Sequence, residues 1–145
     1  VACVWHGGVY TSSDYGVTWI ARSVSQHYWY DIASSSSGQY VIAVAHNMGI
    51  YQSSDFGETW RLTYGTVVDW DAVAVSSSGQ YLVVGAINNG RIYRSNNYGA
   101  TWVVTSAITA DWESISSSSN GQYLTAVSWH MGIVISGDYG ATWTN

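Results

Sequence analysis

All four histidines of the sequence, and five of its nine carboxylates, fall in short segments that recur at one place in a repeating pattern. Turn-like segments read Trp5-His6-Gly7-Gly8, His46-Asn47-Met48-Gly49, Asn88-Asn89-Gly90 and Trp129-His130-Met131-Gly132. Connecting segments read His27-Tyr28-Trp29-Tyr30-Asp31, Asp69-Trp70-Asp71 and Asp111-Trp112-Glu113. Aromatic faces flanked by carboxylates, imidazoles and amides suit carbohydrate. The C–H faces of a sugar stack on an indole, and planar donors and acceptors take its hydroxyls. The candidate ligand-binding residues are therefore Trp5, His6, His46, Asn47, Asp69, Asn88, Asn89, Asp111, Trp129 and His130. Repetition of the segments predicts several equivalent weak sites, whose joint engagement gives avidity. The competing structural reading makes each Trp at a strand start core and each acid a local cap. It is favoured for Trp29, Trp70 and Trp112, whereas Trp5 and Trp129, beside turn glycines, stand open between the two.

Other chemistries fit less well. Five carboxylates crowding one rim (Asp31, Asp69, Asp71, Asp111 and Glu113) repel one another, and calcium would relieve that. No contiguous loop has the ligand spacing of a helix-loop-helix calcium site, however. Zinc through His6, His46 and His130 would need ligands from three separate repeats. Cys3 is the only cysteine, which excludes an internal disulfide and a cysteine-based zinc site; it reads as a small apolar strand residue. Ser, His and Asp are plentiful, but no nucleophile-elbow pattern accompanies them. The expectation is a non-enzymatic protein with no catalytic residue and no resident metal, calcium being the one cofactor left open.

The element pattern that must position these residues is an internal repeat. Ser12-Ser13-Asp14-Tyr15-Gly16-Val17-Thr18-Trp19 returns as Ser53 to Trp60, as Ser95 to Trp102 and as Ser136 to Trp143. The closing tryptophans stand 41, 42 and 41 positions apart. Gly38-Gln39-Tyr40, Gly79-Gln80-Tyr81 and Gly121-Gln122-Tyr123 keep the same step, as do Trp29, Trp70 and Trp112.

One period divides into four short strands. In the middle copy the first runs near Trp70 to Ser76, and Ser77-Ser78-Gly79-Gln80 makes a turn. The second runs from Tyr81 to Ile87, and Asn88-Asn89-Gly90 makes a tight turn. The third is Arg91 to Ser95, and the fourth begins near Thr101. The Ser runs at 34–37, 76–78 and 116–119 hold one place in the repeat and are read as ordered turns. Tyr81-Leu82-Val83-Val84-Gly85-Ala86 and Tyr40-Val41-Ile42-Ala43-Val44-Ala45 are apolar at odd and even positions alike, so both faces are covered. Radially stacked four-stranded blades supply that environment; solenoids and two-sheet sandwiches are the competitors. The expected fold is all-β: one domain over 1–145, with about three and a half β-propeller blades ending near 20, 61, 103 and 145.

The S-x-D-x-G-x-T-W pattern resembles the Asp-box (BNR) repeat of sialidase-like, sortilin-type and many secreted or viral propellers. The resemblance covers nearly the whole chain and implies a structural role for Asp14, Gly16 and Trp19; Asp55, Gly57 and Trp60; Asn97, Gly99 and Trp102; and Asp138, Gly140 and Trp143. In the third copy Asn97 stands where Asp is expected. A turn carboxylate of this kind accepts hydrogen bonds from backbone amides and hydroxyls. The glycine supplies a backbone angle closed to other residues, and the Trp packs beneath. Likeness to sialidases stops at the motif. Those enzymes need three convergent arginines, and Arg22, Arg61, Arg91 and Arg94 are the only basic side chains here other than histidine.

A net charge of −5 leaves too few cations to neutralise a run of phosphates or to hold an anionic membrane surface. No apolar stretch approaches the length of a membrane helix. The low-charge surface, rich in Ser, Thr, Tyr and Trp, leans towards an extracellular or cell-surface setting. Opening on Val1 in mid-pattern suggests a processed or partial chain. The leading expectation is a carbohydrate-binding or adhesive module whose partner is a glycan or glycoprotein. The alternative is a structural, self-assembling repeat protein. It rests on the half repeat: four box turns but only three first strands, which a partner copy or a longer chain would complete.

Overall fold

The second strands of the two middle repeats carry no polar residue because each touches protein on both sides. In the computed structural model, which describes residues 1–25 and 27–145, Val41–Ala45 and Leu82–Ala86 are buried at every position. The chain forms four antiparallel sheets in sequence order. The first holds β1 (Ala2–Cys3), β2 (Val9–Thr11) and β3 (Ile20–Ala21). The second holds β4 (Trp29–Ser34), β5 (Val41–Ala45), β6 (Gly49–Ser53) and β7 (Arg61–Tyr64). The third holds β8 (Trp70–Val75), β9 (Leu82–Ala86), β10 (Ile92–Ser95) and β11 (Val103–Val104). The fourth holds β12 (Trp112–Ser117), β13 (Leu124–Ser128) and β14 (Gly132–Ser136), with a bridge from Ile135 to Thr144 beginning a fourth strand. These are propeller blades, and no helix forms among the described residues.

Blades stack face to face, the front of one on the back of the next. Ile42, Val44 and Ile50 of the second blade pack against Trp70, Val73, Val84 and Ala86 of the third. Val83 and Ile92 of the third pack against Trp112, Ile115 and Ala126 of the fourth. Trp29, Trp70 and Trp112 are fully enclosed in these junctions, as core. Truncating one ring of that size to Ala costs about 3–5 kcal/mol. Their indole N–H groups meet no acceptor among the described residues, an expense of about 1–3 kcal/mol each that ring burial offsets.

Each first strand opens with a bulge, at Tyr30, Asp71 and Glu113, two residues facing one on the partner strand. The bulge lets Asp31 turn to the neighbouring blade, where its Oδ2 accepts the Val73 amide at 2.9 Å and its Oδ1 accepts that of Ile32 at 2.8 Å.

The Gly-Gln-Tyr marker proves to be an inter-blade joint. Tyr40 lies under Gly79 of the following blade and against the Tyr98 ring, 4.8 Å away between centroids. Tyr81 repeats this under Gly121 and against Tyr139 at 4.4 Å. Ser36 and Ser77 add a backbone link, each amide donating to the next repeat, at Ser77 and Ser119, over 3.0 and 2.8 Å.

The S-x-D-x-G-x-T-W turns are closed by their own polar atoms. Asp14 Oδ1 accepts the Thr18 amide at 2.9 Å and its Oδ2 accepts the Thr18 hydroxyl at 2.6 Å. Asp55 and Asp138 bond Thr59 and Thr142 in the same way. These bonds, with the Ser12, Ser53 and Ser136 hydroxyls, pull the three carboxyls down to about 2. Asn97 keeps the geometry with a neutral amide, donating to the Thr101 hydroxyl at 2.9 Å. The turn needs two left-handed residues in a row: Tyr15, Phe56, Tyr98 and Tyr139 precede the glycine with φ of 57–62°. Trp19, Trp60 and Trp143 donate to the carbonyl of that glycine, whereas Trp102 donates to Thr63 of the preceding blade. Trp19 lies against its turn glycine as Trp60 does, yet stays half exposed.

Candidate functional site

Because consecutive strands are antiparallel neighbours, turns alternate between the two rims. The box turns and Ser-rich turns take one rim. The other holds the turns between second and third strands and the connectors between blades.

On that second rim a groove of about 390 Å³ opens between the second and third blades. Asn47, Asp69, Asn88 and Asn89 line it, joined by Val67, Val68, Arg91 and Tyr93. A polar relay fixes its wall. Asn47 Nδ2 lies 2.9 Å from His46 Nε2, and an amide nitrogen only donates, so Nε2 accepts. His46 Nδ1 lies 2.9 Å from Asp69 Oδ1, a close contact that does not meet hydrogen-bonding geometry. Asn88 Nδ2 donates to the other oxygen of the same carboxylate. Asp69 thus ties the turn of the second blade to that of the third. Asp111 serves the next junction, accepting the Asn89 amide at 2.9 Å. Tyr28 holds the corresponding place one repeat earlier and accepts the His46 amide on its carbonyl, as Asp69 accepts that of Ile87.

An aromatic strip continues the wall into the first blade. Trp5 stands edge-on to Tyr28 and Tyr30 with centroids 5.1 and 4.7 Å apart, leaving half of its surface exposed. His6 meets Tyr28 at 3.9 Å, and the His46 ring lies 5.6 Å from Tyr30. Trp5, His6, Tyr28, Tyr30, His46 and Asp69 therefore form one continuous surface across three blades.

The structure does not gather every expected residue. Trp129 and His130 lie on the fourth blade, their rings 6.4 Å apart and Trp129 77% exposed, in contact with neither the groove nor the strip. His27 is used inward: it bridges to Gly7, and its Nε2 meets the Tyr51 hydroxyl at 3.2 Å. Burial holds its pKa below the usual imidazole value. The junctions also differ in side chain, Tyr28, Asp69 and Asp111 occupying one position, so the rim is a graded surface rather than a set of identical sites. The sequence reading passed over Val67, Val68, Arg91 and Tyr93. A tight Asn-Asn-Gly turn must fold the first residue of the third strand back over the preceding connector, which was the available signal.

Two further rim carboxyls, Asp71 and Asp31, are raised above the usual carboxylate range. Asp71 is pushed up to about 6, first by burial and then by Glu113 and Asp31. Burial raises Asp31 as well. Among the described residues no group of three His, Cys, Asp or Glu side chains is placed to hold a metal ion.

No protein-family model matches the sequence, and no curated protein matches it. Solved structures do match, and they are propellers. The GH74 enzyme of Niastella koreensis superposes with a TM-score of 0.74 at 18% identity, over 94% of this chain and 26% of that one. The β-propeller domain of Myceliophteria thermophila Cps50 (Swd1) gives 0.63 at 18% identity, over 79% and 39%. YCF48 bound to D1 peptide gives 0.64 at 14% identity, over 80% and 38%. The chain spans well under half the length of these neighbours, and the likeness is one of fold.

Proposed function

We propose that this propeller is a non-enzymatic carbohydrate-binding module, of the Asp-box kind, which takes a neutral oligosaccharide along the groove between its second and third blades. The observation that supports the reading is the joining of that groove to the Trp5–Tyr28–Tyr30–His46 strip. The groove volume suits one or two sugar rings, and amides, a carboxylate and a guanidinium converge on it. The half-exposed Trp5 indole offers a hydrophobic face for a further residue of the chain. Asp69, in contact with His46 and bonded to Asn88, acts as a fixed acceptor that orients the Asn88 amide, and not as a free acid or base. A polar, preorganised wall on rigid blades keeps the ordering cost of binding low. A surface of this kind works on an extracellular glycan or glycoprotein, and contact by several such chains at once would strengthen it.

Screening the protein on a glycan array, with each positive sugar followed by calorimetry, tests the reading. Binding of at least one neutral oligosaccharide, lost in Asn88→Ala and Arg91→Ala, is the expected result. No binding to any sugar would sink the proposal, and release of new reducing ends from a bound oligosaccharide would overturn its non-enzymatic part.

A further inference from the structure

Two Asn-Gly steps occur in the sequence, Asn89-Gly90 and Asn120-Gly121, and the fold treats them differently. An Asn followed by Gly is chemically unstable, because no side chain shields the following amide nitrogen from the Asn carboxamide. Both asparagines are exposed, so access to water does not separate them. Hydrogen bonding does. Asn120 Oδ1 accepts the Ser118 hydroxyl at 2.8 Å and the Gln122 amide at 3.0 Å. The Gly121 amide donates to the Ser118 carbonyl at 2.9 Å, and Gly121 is buried against Tyr81 of the preceding blade. Both reacting groups of that step are therefore held. Ser37 and Ser78 fill the same place in the earlier repeats and accept the Gln39 and Gln80 amides, so Asn120 is a cap that the repeat itself fixes.

The Asn89-Gly90 step has no such restraint. Among the described residues, neither the Asn89 side chain nor the Gly90 amide meets a hydrogen-bond partner. The turn is held by other atoms: the Asn89 amide donates to Asp111 Oδ1 at 2.9 Å, and the Gly90 carbonyl accepts the Ala110 amide at 3.0 Å. Asn88 and Asn89 stand in consecutive left-handed conformations, with φ of 59° and 58°, which an L residue adopts at a cost. A strained, exposed turn opens locally more readily than a sheet.

We propose that Asn89 is a site of spontaneous modification, a deamidation that puts a carboxylate into the amide-lined groove as the protein ages. The Gly90 nitrogen attacks Cγ of the Asn89 carboxamide and gives up its proton to base in the solvent. The bond from Cγ to Nδ2 breaks, Nδ2 takes up a proton and leaves as ammonia, and a succinimide ring remains. Water opens that ring at either carbonyl. One opening leaves an ordinary aspartate; the other leaves isoaspartate, whose main chain runs on through the former side chain. The sum is one water consumed and one ammonia released, with no change of oxidation state. Asn89 lines the groove, and its new carboxylate arises beside Asp111, whose Oδ1 accepts the amide of the same residue. The chemistry is independent of the carbohydrate reading, although it alters the same wall.

Incubating the intact folded protein at mildly alkaline pH, with peptide mapping by mass spectrometry, tests this. The expected result is a gain of one dalton at Asn89, with aspartate and isoaspartate both present. Asn89 should be lost at least about tenfold faster than Asn120, because only the second step is closed by hydrogen bonds. In denaturant the two steps should react at similar rates, since those bonds are gone. Asn89→Asp keeps a residue that tolerates the left-handed turn and should abolish the early mass gain of the folded protein. Comparable rates in the folded protein, or faster reaction at Asn120, overturn the proposal. So does a rate difference that persists in denaturant, which would place its cause in the neighbouring sequence and not in the fold.

Discussion

The His46 imidazole and the Asp69 carboxylate meet across the junction of the second and third blades, Nδ1 and Oδ1 lying 2.9 Å apart. The contact does two things at once. It sets the ring against the carboxylate, and it leaves Asp69 Oδ2 to accept from Asn88, so that turns from two blades meet at one side chain. The groove wall is therefore a single polar unit.

Breaking that unit should weaken sugar binding more than it weakens the fold. Asp69→Ala removes the acceptor of Asn88 and the carboxylate against which His46 rests, and should lower affinity about tenfold, the loss of an oriented hydrogen bond. His46→Ala should do the same to a smaller degree. Thermal unfolding of both variants should stay close to that of the parent, since the residues lie at the surface of the junction. Calorimetry and a melting curve on each protein check the pair of statements.

Acid should attack the box turns first. Asp14, Asp55 and Asp138 have carboxyls lowered to about 2, so ionised they stabilise the fold. That contribution is complete above about pH 4 and is lost as pH falls through about 2. Asn97 makes the third turn indifferent to this range. The melting temperature should fall steeply between about pH 4 and pH 2, and Asn97→Asp should make the fall steeper. A flat profile there would contradict the hydrogen bonding seen at the three aspartates.

Asp71 predicts the opposite limb. Its carboxyl is raised to about 6, so ionisation opposes folding: the protein is favoured below about pH 4 and loses that advantage as pH rises through about 6. Asp71→Asn should remove the loss. At this half-exposed position solvent screening keeps the gain to roughly 1 kcal/mol at neutral pH. Stability of the parent against pH should therefore peak between about pH 4 and pH 6, and that of the variant should decline less above it, Asp31 alone remaining raised.

Gly79 fits its turn for two reasons that act together. Its φ is +81°, and a Cβ there would lie 2.5 Å from the Tyr40 ring of the preceding blade. Gly79→Ala should destabilise by about 2–3 kcal/mol, part backbone strain and part displacement of Tyr40. Gly8→Ala, where a Cβ meets nothing within 4 Å, should be close to neutral. Denaturant unfolding of the two variants gives the comparison directly.

Much of the fold was legible because its signals were local and repeated. The Asp-x-Gly-x-Thr turn, the doubly apolar second strand and the Asn-Asn-Gly turn each dictate structure within a few residues of themselves. The propeller then follows from the need to cover both faces of Val41–Ala45. Packing between repeats was harder to read. Nothing near Tyr40 announces that it meets Gly79 and Tyr98, some forty and sixty positions away. The site shows the same division. The rim was found from residue types, since Asn47, Asp69, Asn88 and Asn89 all line the groove. Their partners were not. That Tyr28, Asp69 and Asp111 share one position, and that Trp5 leans on Tyr28 and Tyr30, depends on how blades rotate relative to one another. No short motif encodes that rotation. Equivalence between repeats is limited for the same reason: Trp129 repeats Trp5 in sequence, but among the described residues its ring meets His130 and no tyrosine pair.

The reading of the groove as a glycan site is tested most directly by an NMR titration with a neutral oligosaccharide, observing indole and side-chain amide N–H signals. The account predicts that the signals of Asn47, Asn88, Asn89 and Trp5 move together along one binding curve while Trp129 and the indoles of Trp60 and Trp143 stay still. Movement confined to the box-turn rim, or to Trp129 alone, would contradict it.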